Sequence, residues 1–149
     1  MKYLLDASAL LPLITRRGKE LLAEASRENL ITTDMAVYEA CNSLWKLVTL
    51  LRSVSLEDAT MAATVLKSLT VRGMIRLSSF VDLNLTKTLE RACEDRLTFY
   101  DASYIVTAED AEATLVTEDK KLRKTAHKSI KTVTYTDLEN ELNKEQPTG

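Results

Sequence analysis

Glycine, proline, histidine and cysteine are all scarce in this 149-residue chain, and each shortage excludes a class of function. Three glycines (Gly18, Gly73 and Gly149) leave no GxGxxG or GxxxxGK[ST] loop, so no glycine-rich nucleotide cradle is expected. With only two prolines, Pro12 and Pro147, the connections should be short and the chain rich in helix. A single histidine, His127, rules out an acid–base pair of histidines within one chain. It lies in the basic stretch KKLRKTAHKS and reads as a solvated side chain. Cys41 and Cys93 share no CxxC or metal-ligand spacing, which fits a reducing cytoplasm and a role as small buried hydrophobes. No apolar run is long enough to span a bilayer: MKYLLDASALLPLI is broken early by Asp6, and no small-residue cleavage site follows it. A cytoplasmic protein with no membrane association is expected.

What remains is ordinary for a globular domain, with 45% hydrophobic and 28% charged residues. The chain is long enough for one domain with a proper core, expected over residues 1–143 with a frayed tail at 144–149. The formal charge of −2 gives no hint of a nucleic-acid partner. It hides a local arrangement, however. Setting aside four particular acidic residues leaves 18 against 20 basic ones, a remainder of +2.

Those four are Asp6 in KYLLDAS, Glu39 in MAVYEAC, Asp101 in FYDASYI and Asp119 in LVTEDKKL. Asp6 and Asp119 end short apolar runs that read as strands. Asp101 stands immediately before a helical pattern, and Glu39 lies about one turn into another. Strands and helices alternate along the chain, which predicts a helix-rich α/β fold with a central parallel sheet covered on both faces. In such sheets ligands gather beyond the carboxyl ends of the strands. Carboxylates meeting there make a hard, oxygen-only site suited to Mg²⁺ or Mn²⁺ and to phosphoryl transfer. Taken singly, Asp101 and Asp119 also read as helix caps. Asp6 follows its strand closely enough to be buried, and a buried carboxylate needs a partner.

Element by element, Tyr3 to Leu5 is the first strand, followed by a helical ALLPLI and a separate amphipathic helix from Gly18 to Arg27. LITT is a strand. Asp34 is expected to cap a helix whose buried stripe is Val37, Cys41, Leu44, Trp45, Val48 and Leu51. Ser55 caps a third helix ending near Gly73. MIRLSSF, ATLVT and IKTVTY read as strands, and LNLTKTLERACEDR, ASYIVTAEDA and DKKLRKTAH as helices. Thr136 with Glu139 is expected to form a capping box for the last helix. Trp45 and Tyr104 are expected to pack in the core.

The chain resembles the PIN-domain ribonucleases, particularly the VapC-type toxins of toxin–antitoxin pairs. The resemblance rests on LLDASAL, on Glu39 and Asn42 in YEACN, on Asp101 in YDASYI, and on Thr117, Asp119 and Leu122 in LVTEDKKL. It spans nearly the whole chain, although Ser55 to Asp82 matches only in pattern. It implies a three-layer α/β/α sandwich and a metal-dependent endoribonuclease that leaves a 5′-phosphate and a 3′-hydroxyl. Asp6, Asp101 and Asp119 would be direct or water-mediated ligands of Mg²⁺ or Mn²⁺, and Glu39 a ligand or the base that orients the attacking water. Ser8, Asn42 and Thr117 would hold the carboxylates in place. Lys120, Lys121, Arg123 and Arg16, with Arg17, Lys124 and Lys128, are candidates for the RNA backbone or simply a solvated face. A small antitoxin inserting a tail into the acidic pocket and a homodimer are the expected partners.

Other readings fit less well. A phosphorelay receiver needs an acidic pair after the first strand, and an aspartyl phosphatase needs D-x-D, whereas Asp6 is followed by Ala7 and Ser8. A catalytically silent binding module and a housekeeping RNA-processing nuclease remain as alternatives.

Overall fold

A computed structural model describes residues 1–24 and 29–145. Five parallel strands form one sheet in the order β3-β2-β1-β4-β5. They are β1 (Tyr3–Leu5), β2 (Leu30–Thr33), β3 (Arg76–Ser78), β4 (Thr114–Val116) and β5 (Thr132–Val133). Seven helices accompany them among the described residues: α1 (Ala7–Ala23), α2 (Asp34–Thr49), α3 (Leu56–Val71), α4 (Leu85–Asp95), α5 (Phe99–Asp110), α6 (Lys120–Ala126) and α7 (Tyr135–Lys144). This is the three-layer α/β/α arrangement the alternating pattern implies.

The chain moves one way along the sheet from β1 to β3, then crosses back to β4 and β5. Because parallel crossovers are right-handed, that reversal puts α1, α2 and α3 on one face and α4, α5 and α6 on the other. The packing agrees: α1, α2 and α3 contact one another, α4 packs on α5, and α5 lies on β1 and β4. The central strands β1 and β4 are buried on both faces, as YLL and TLV without alternation require. Leu4, Leu5, Leu115, Leu10, Leu13 and Ile105 make the centre of the core.

Several local readings need correction. ALLPLI and the helix expected from Gly18 are one continuous α1, with Pro12 inside it. Pro12 cannot donate to the Ser8 carbonyl, but burial of Ala9, Leu10, Leu13 and Ile14 outweighs the lost bond. The expected end of that helix at Arg27 lies outside the described residues. Thr33, not Asp34, caps α2 by accepting the Ala36 amide at 3.0 Å. The α2 stripe is shifted too, with Ala36, Ala40 and Leu44 buried while Trp45 and Leu51 are exposed. Small residues face the core there because α2 lies close against its neighbours, which leaves the indole outside. The last helix begins two residues early, with Thr134 and Asp137 forming its capping box. It extends through Lys144, one residue into the stretch read as tail; residues 146–149 lie outside the described residues. Cys93 is exposed, so it is not a core hydrophobe, whereas Cys41 is half-buried and packs against the core.

Candidate active site

The strand order reverses between β1 and β4, and the crevice beyond their carboxyl ends is where an open α/β sheet builds its site. Four helices begin at this edge. α1, α2 and α6 start directly after β1, β2 and β4, and α5 starts there because it runs back down to feed β4. Their unpaired amides and positive dipole ends favour anions, which is why acidic side chains are tolerated together here.

Asp6 caps α1. Its Oδ1 accepts the Ala9 amide at 3.1 Å and the Ser8 hydroxyl at 2.6 Å, and its Oδ2 accepts the Thr117 hydroxyl. It is 5% exposed, and burial raises its carboxyl pKa against the lowering effect of those three donors. Thr117 also accepts the Asp119 amide at 3.0 Å, and Ser8 accepts the Glu118 amide at 2.9 Å. Ser8 and Thr117 therefore tie the end of β1 to the loop after β4. Asp119 caps α6 by accepting the Leu122 amide at 3.0 Å.

Asp101 does not precede its helix. Thr98 is the cap, and Asp101 sits in the first turn of α5, its own amide donating to Thr98 Oγ1. Its carboxyl pKa is raised, first by burial and then by the charge of Asp119. The pKa of Glu39 is raised by burial and then by the charges of Asp6 and Asp101. These couplings link all four carboxylates in one field: Asp6 to Glu39, Glu39 to Asp101, and Asp101 to Asp119. Among the described residues none of the four is in an ion pair with a lysine or arginine; Lys121 only eases the charge on Asp101.

Reading the sequence for core packing misses the part Tyr104 plays. It is buried, as expected, yet its hydroxyl donates to Glu39 Oε2 at 3.2 Å and so fixes that carboxylate from the far face of the sheet. The spacing Asp101-x-x-Tyr104, one helical turn, was the available signal. Asn42 is exposed and has no hydrogen bond to Glu39. Arg123 turns inward, donating to the Thr117 carbonyl at 3.1 Å, so it braces the loop. Arg16 lies over the Tyr135 ring, 5.4 Å from its centroid, and near Glu139 at 3.8 Å. Lys120 and Lys121 are exposed beside Asp119.

A divalent cation fits this donor set by charge and chemistry. The carboxylates are hard oxygen donors; burial pushes up the pKa values of Asp6, Glu39 and Asp101, neighbouring carboxylates add to the rise at the last two, and a cation offsets both effects. The fit is not that of a closed cage. Among the described residues no three acidic, histidine or cysteine side chains surround one ion-sized point. Both oxygens of Asp6 are turned onto hydroxyl and amide donors. An ion that keeps part of its water shell, as Mg²⁺ does, suits such an open arrangement.

The model of the PIN domain matches residues 3–128, and the chain belongs to that family. It is 39% identical over 125 residues to Exonuclease VapC9 of Pyrobaculum aerophilum, covering 82% of this chain and 84% of that protein. It is 31% identical over 126 residues to Ribonuclease VapC3 of the same organism, covering 82% and 92%. The crystal structure of PAE2754 from Pyrobaculum aerophilum superposes with a TM-score of 0.73 at 30% identity, covering 97% of this chain and 98% of that one. The VapBC-1 structure from nontypeable Haemophilus influenzae shares the fold, with a TM-score of 0.59 at 14% identity over 91% of this chain and 99% of that one. No helix among the described residues is long and apolar enough to cross a membrane.

Proposed function

We propose that this chain is a metal-dependent ribonuclease and the toxin of a toxin–antitoxin pair. The observation that carries the reading is the placement of Asp6, Glu39, Asp101 and Asp119 at the sheet's switch point, where the charges of Asp6 and Asp101 act on Glu39 and that of Asp119 on Asp101, with no lysine or arginine in an ion pair with any of the four among the described residues. The names of the relatives, an exonuclease and a ribonuclease, support the same chemistry.

Asp6, Asp101 and Asp119 would hold Mg²⁺ or Mn²⁺, in part through water. Such an ion, when bound, offsets charge on the phosphoryl oxygens and makes hydroxide available near neutral pH. The protein's own groups do the rest. Ser8 and Thr117 keep the Asp6 carboxylate from rotating away. Glu39, with its pKa raised and its Oε2 held by Tyr104, leaves Oε1 to orient a water and accept its proton. Lys120 and Lys121 face the approach beside Asp119, where they can meet backbone phosphates.

An antitoxin tail carrying an Arg or Lys would enter the same pocket, since the unpaired carboxylates attract a desolvated cation. The relation of this fold to that of VapBC-1 supports such a partner, and a homodimer accompanies the proposal. Incubation with single-stranded RNA tests the activity. Cleavage should stop in EDTA and return with Mg²⁺ or Mn²⁺, while the Asp101→Ala variant stays folded and inactive. A circular RNA separates cutting within the chain from trimming at an end, and we expect it to be cut. Cleavage that persists in EDTA overturns the mechanism. Expression alone should arrest growth and Asp119→Asn should not; a harmless, soluble, metal-loaded wild type would favour a housekeeping nuclease.

A further inference from the structure

Two tyrosines stand at the mouth of the acidic pocket with nothing in the fold to explain their exposure. Tyr38 is 78% and Tyr100 62% exposed, although tyrosine is ordinarily largely covered. Each immediately precedes a carboxylate of the site, Tyr38 before Glu39 and Tyr100 before Asp101. Those two carboxylates lie close enough for the charge of Asp101 to act on Glu39. The rings, although on helices from opposite faces of the sheet, line one cleft together with Met35 and Glu39. The cleft continues past Tyr100 to Phe80 and Phe99. Its far wall is not slack, because Asp34 Oδ2 accepts the Phe80 amide at 3.0 Å and pins that loop to α2.

We propose that Tyr38 and Tyr100 form a base-stacking subsite for single-stranded RNA, seating the nucleobase next to the phosphate that lies over the carboxylates. This rests on the ribonuclease reading and adds to it where the neighbouring base goes. The occupant is argued from the chemistry of the site. The charge of Lys121 reaches Asp101, and the exposed tyrosines share their cleft with Glu39, so cationic, carboxylate and aromatic groups all meet at this site. A nucleotide presents a charged phosphate and a π-face within one unit, as these groups together require. An apolar peptide would meet Glu39 and Asp34 in the cleft wall. Stacking asks only for a π-face, so the subsite should be sequence-tolerant.

The test is binding of a short fluorescein-labelled single-stranded RNA by polarisation, in Ca²⁺. This ion shares the preference for oxygen ligands but has a looser coordination shell, and gels verify that the RNA stays whole. Tyr38→Ala and Tyr100→Ala should each weaken binding about tenfold or more. Tyr38→Phe and Tyr100→Phe, which keep the ring, should bind like the wild type. An RNA with an abasic residue beside the bound phosphate should bind the wild type more weakly and show no further loss with either alanine variant. Equal binding by wild type and alanine variants overturns the subsite, as do phenylalanine variants as weak as alanine ones or losses that simply add with the abasic RNA. If the alanine variants change the oligomeric state on gel filtration, the rings face a second copy and the proposal falls. A wild type that fails to bind RNA while Mn²⁺ still raises its melting temperature removes RNA as the occupant and leaves the metal site standing. A wild type that responds to neither removes the ribonuclease reading as well.

Discussion

The Thr117 hydroxyl donates to Asp6 across 111 residues of sequence while accepting the Asp119 amide at 3.0 Å. One oxygen thus joins the ends of β1 and β4 and holds two of the four acidic residues in register. Thr117→Val keeps the shape of the side chain but leaves a buried carboxylate short of a donor. It should lower stability by about 1–3 kcal/mol in urea titrations. The loss should be larger at neutral than at acid pH, because the missing bond served the ionised form. A uniform loss at all pH values would mean that Thr117 acts through packing alone.

Burial raises the carboxyl pKa values of Asp6, Glu39 and Asp101 above their ordinary 3.8, 4.5 and 3.8, and the charges of neighbouring carboxylates add to the rise at Glu39 and Asp101. The folded state therefore holds these protons where the unfolded chain has lost them. Their contribution favours the fold at low pH and is lost as pH rises from the ordinary values through the raised ones. Glu109 and Asp137 are shifted downward and work in the opposite sense. In EDTA, Asp101→Asn should raise the neutral-pH melting temperature and flatten its decline with pH. A variant as pH-sensitive as the wild type would show that the field at the site is weak.

Mn²⁺ should reverse that order. A ligand binding only the folded state adds roughly 2.7 kcal/mol at a hundredfold excess over its Kd. The wild type should gain this increment, and Asp6→Asn, which keeps the helix cap, should lose most of it. Equal responses from the two proteins would place the ion elsewhere.

Tyr104→Phe removes only the hydroxyl that holds Glu39 Oε2. Groups that orient a metal ligand or base typically matter by 10–100-fold. Calorimetric Mn²⁺ affinity, cleavage rate, or both should fall by about tenfold while the protein stays folded. No change in either would return Tyr104 to a packing role.

Gly18 marks the closest approach of α1 to α3, since a Cβ there would stand 2.5 Å from Val65 Cγ1. Ala is the better helix former by about 1 kcal/mol, but the contact is too short and Val65 is stiff and buried. Gly18→Ala should therefore cost about 1–3 kcal/mol. In a Val65→Ala background the same change should become stabilising. A stabilising Gly18→Ala in the wild type would show that α3 moves aside freely.

The expectations that held are those set by periodicity and by residues whose chemistry acts locally. Tyr3–Leu5, LITT and Thr114–Val116 are apolar runs too short for helices, and their burial on both faces follows from the parallel sheet. Asp6 and Asp119 cap the helices that follow them because a carboxylate one residue ahead of an amide-rich turn has an immediate partner. Ser8 and Thr117, read as supports for the carboxylates, do touch Asp6.

Where two neighbouring residues compete for one role, local chemistry does not choose. Thr33 and Asp34 are both good caps, as are Thr134 and Thr136, and the turn entering each helix settles the matter. Pattern also fails where the partner surface decides. α2 buries Ala36, Ala40 and Leu44, so close packing displaces Trp45 from the stripe its spacing suggested. The sequence by itself determined the alternation of strands and helices and placed Asp6 between two hydroxyl-bearing residues, Ser8 and Thr117, that bond it. Only the tertiary structure decided that Tyr104 reaches Glu39 across the sheet, that Arg123 braces a loop, and that Tyr38 and Tyr100 share one cleft. The two contacts between helices depend on the reversal of strand order at β1 and β4, which brings side chains from opposite faces to one edge, and no single element encodes where another will lie.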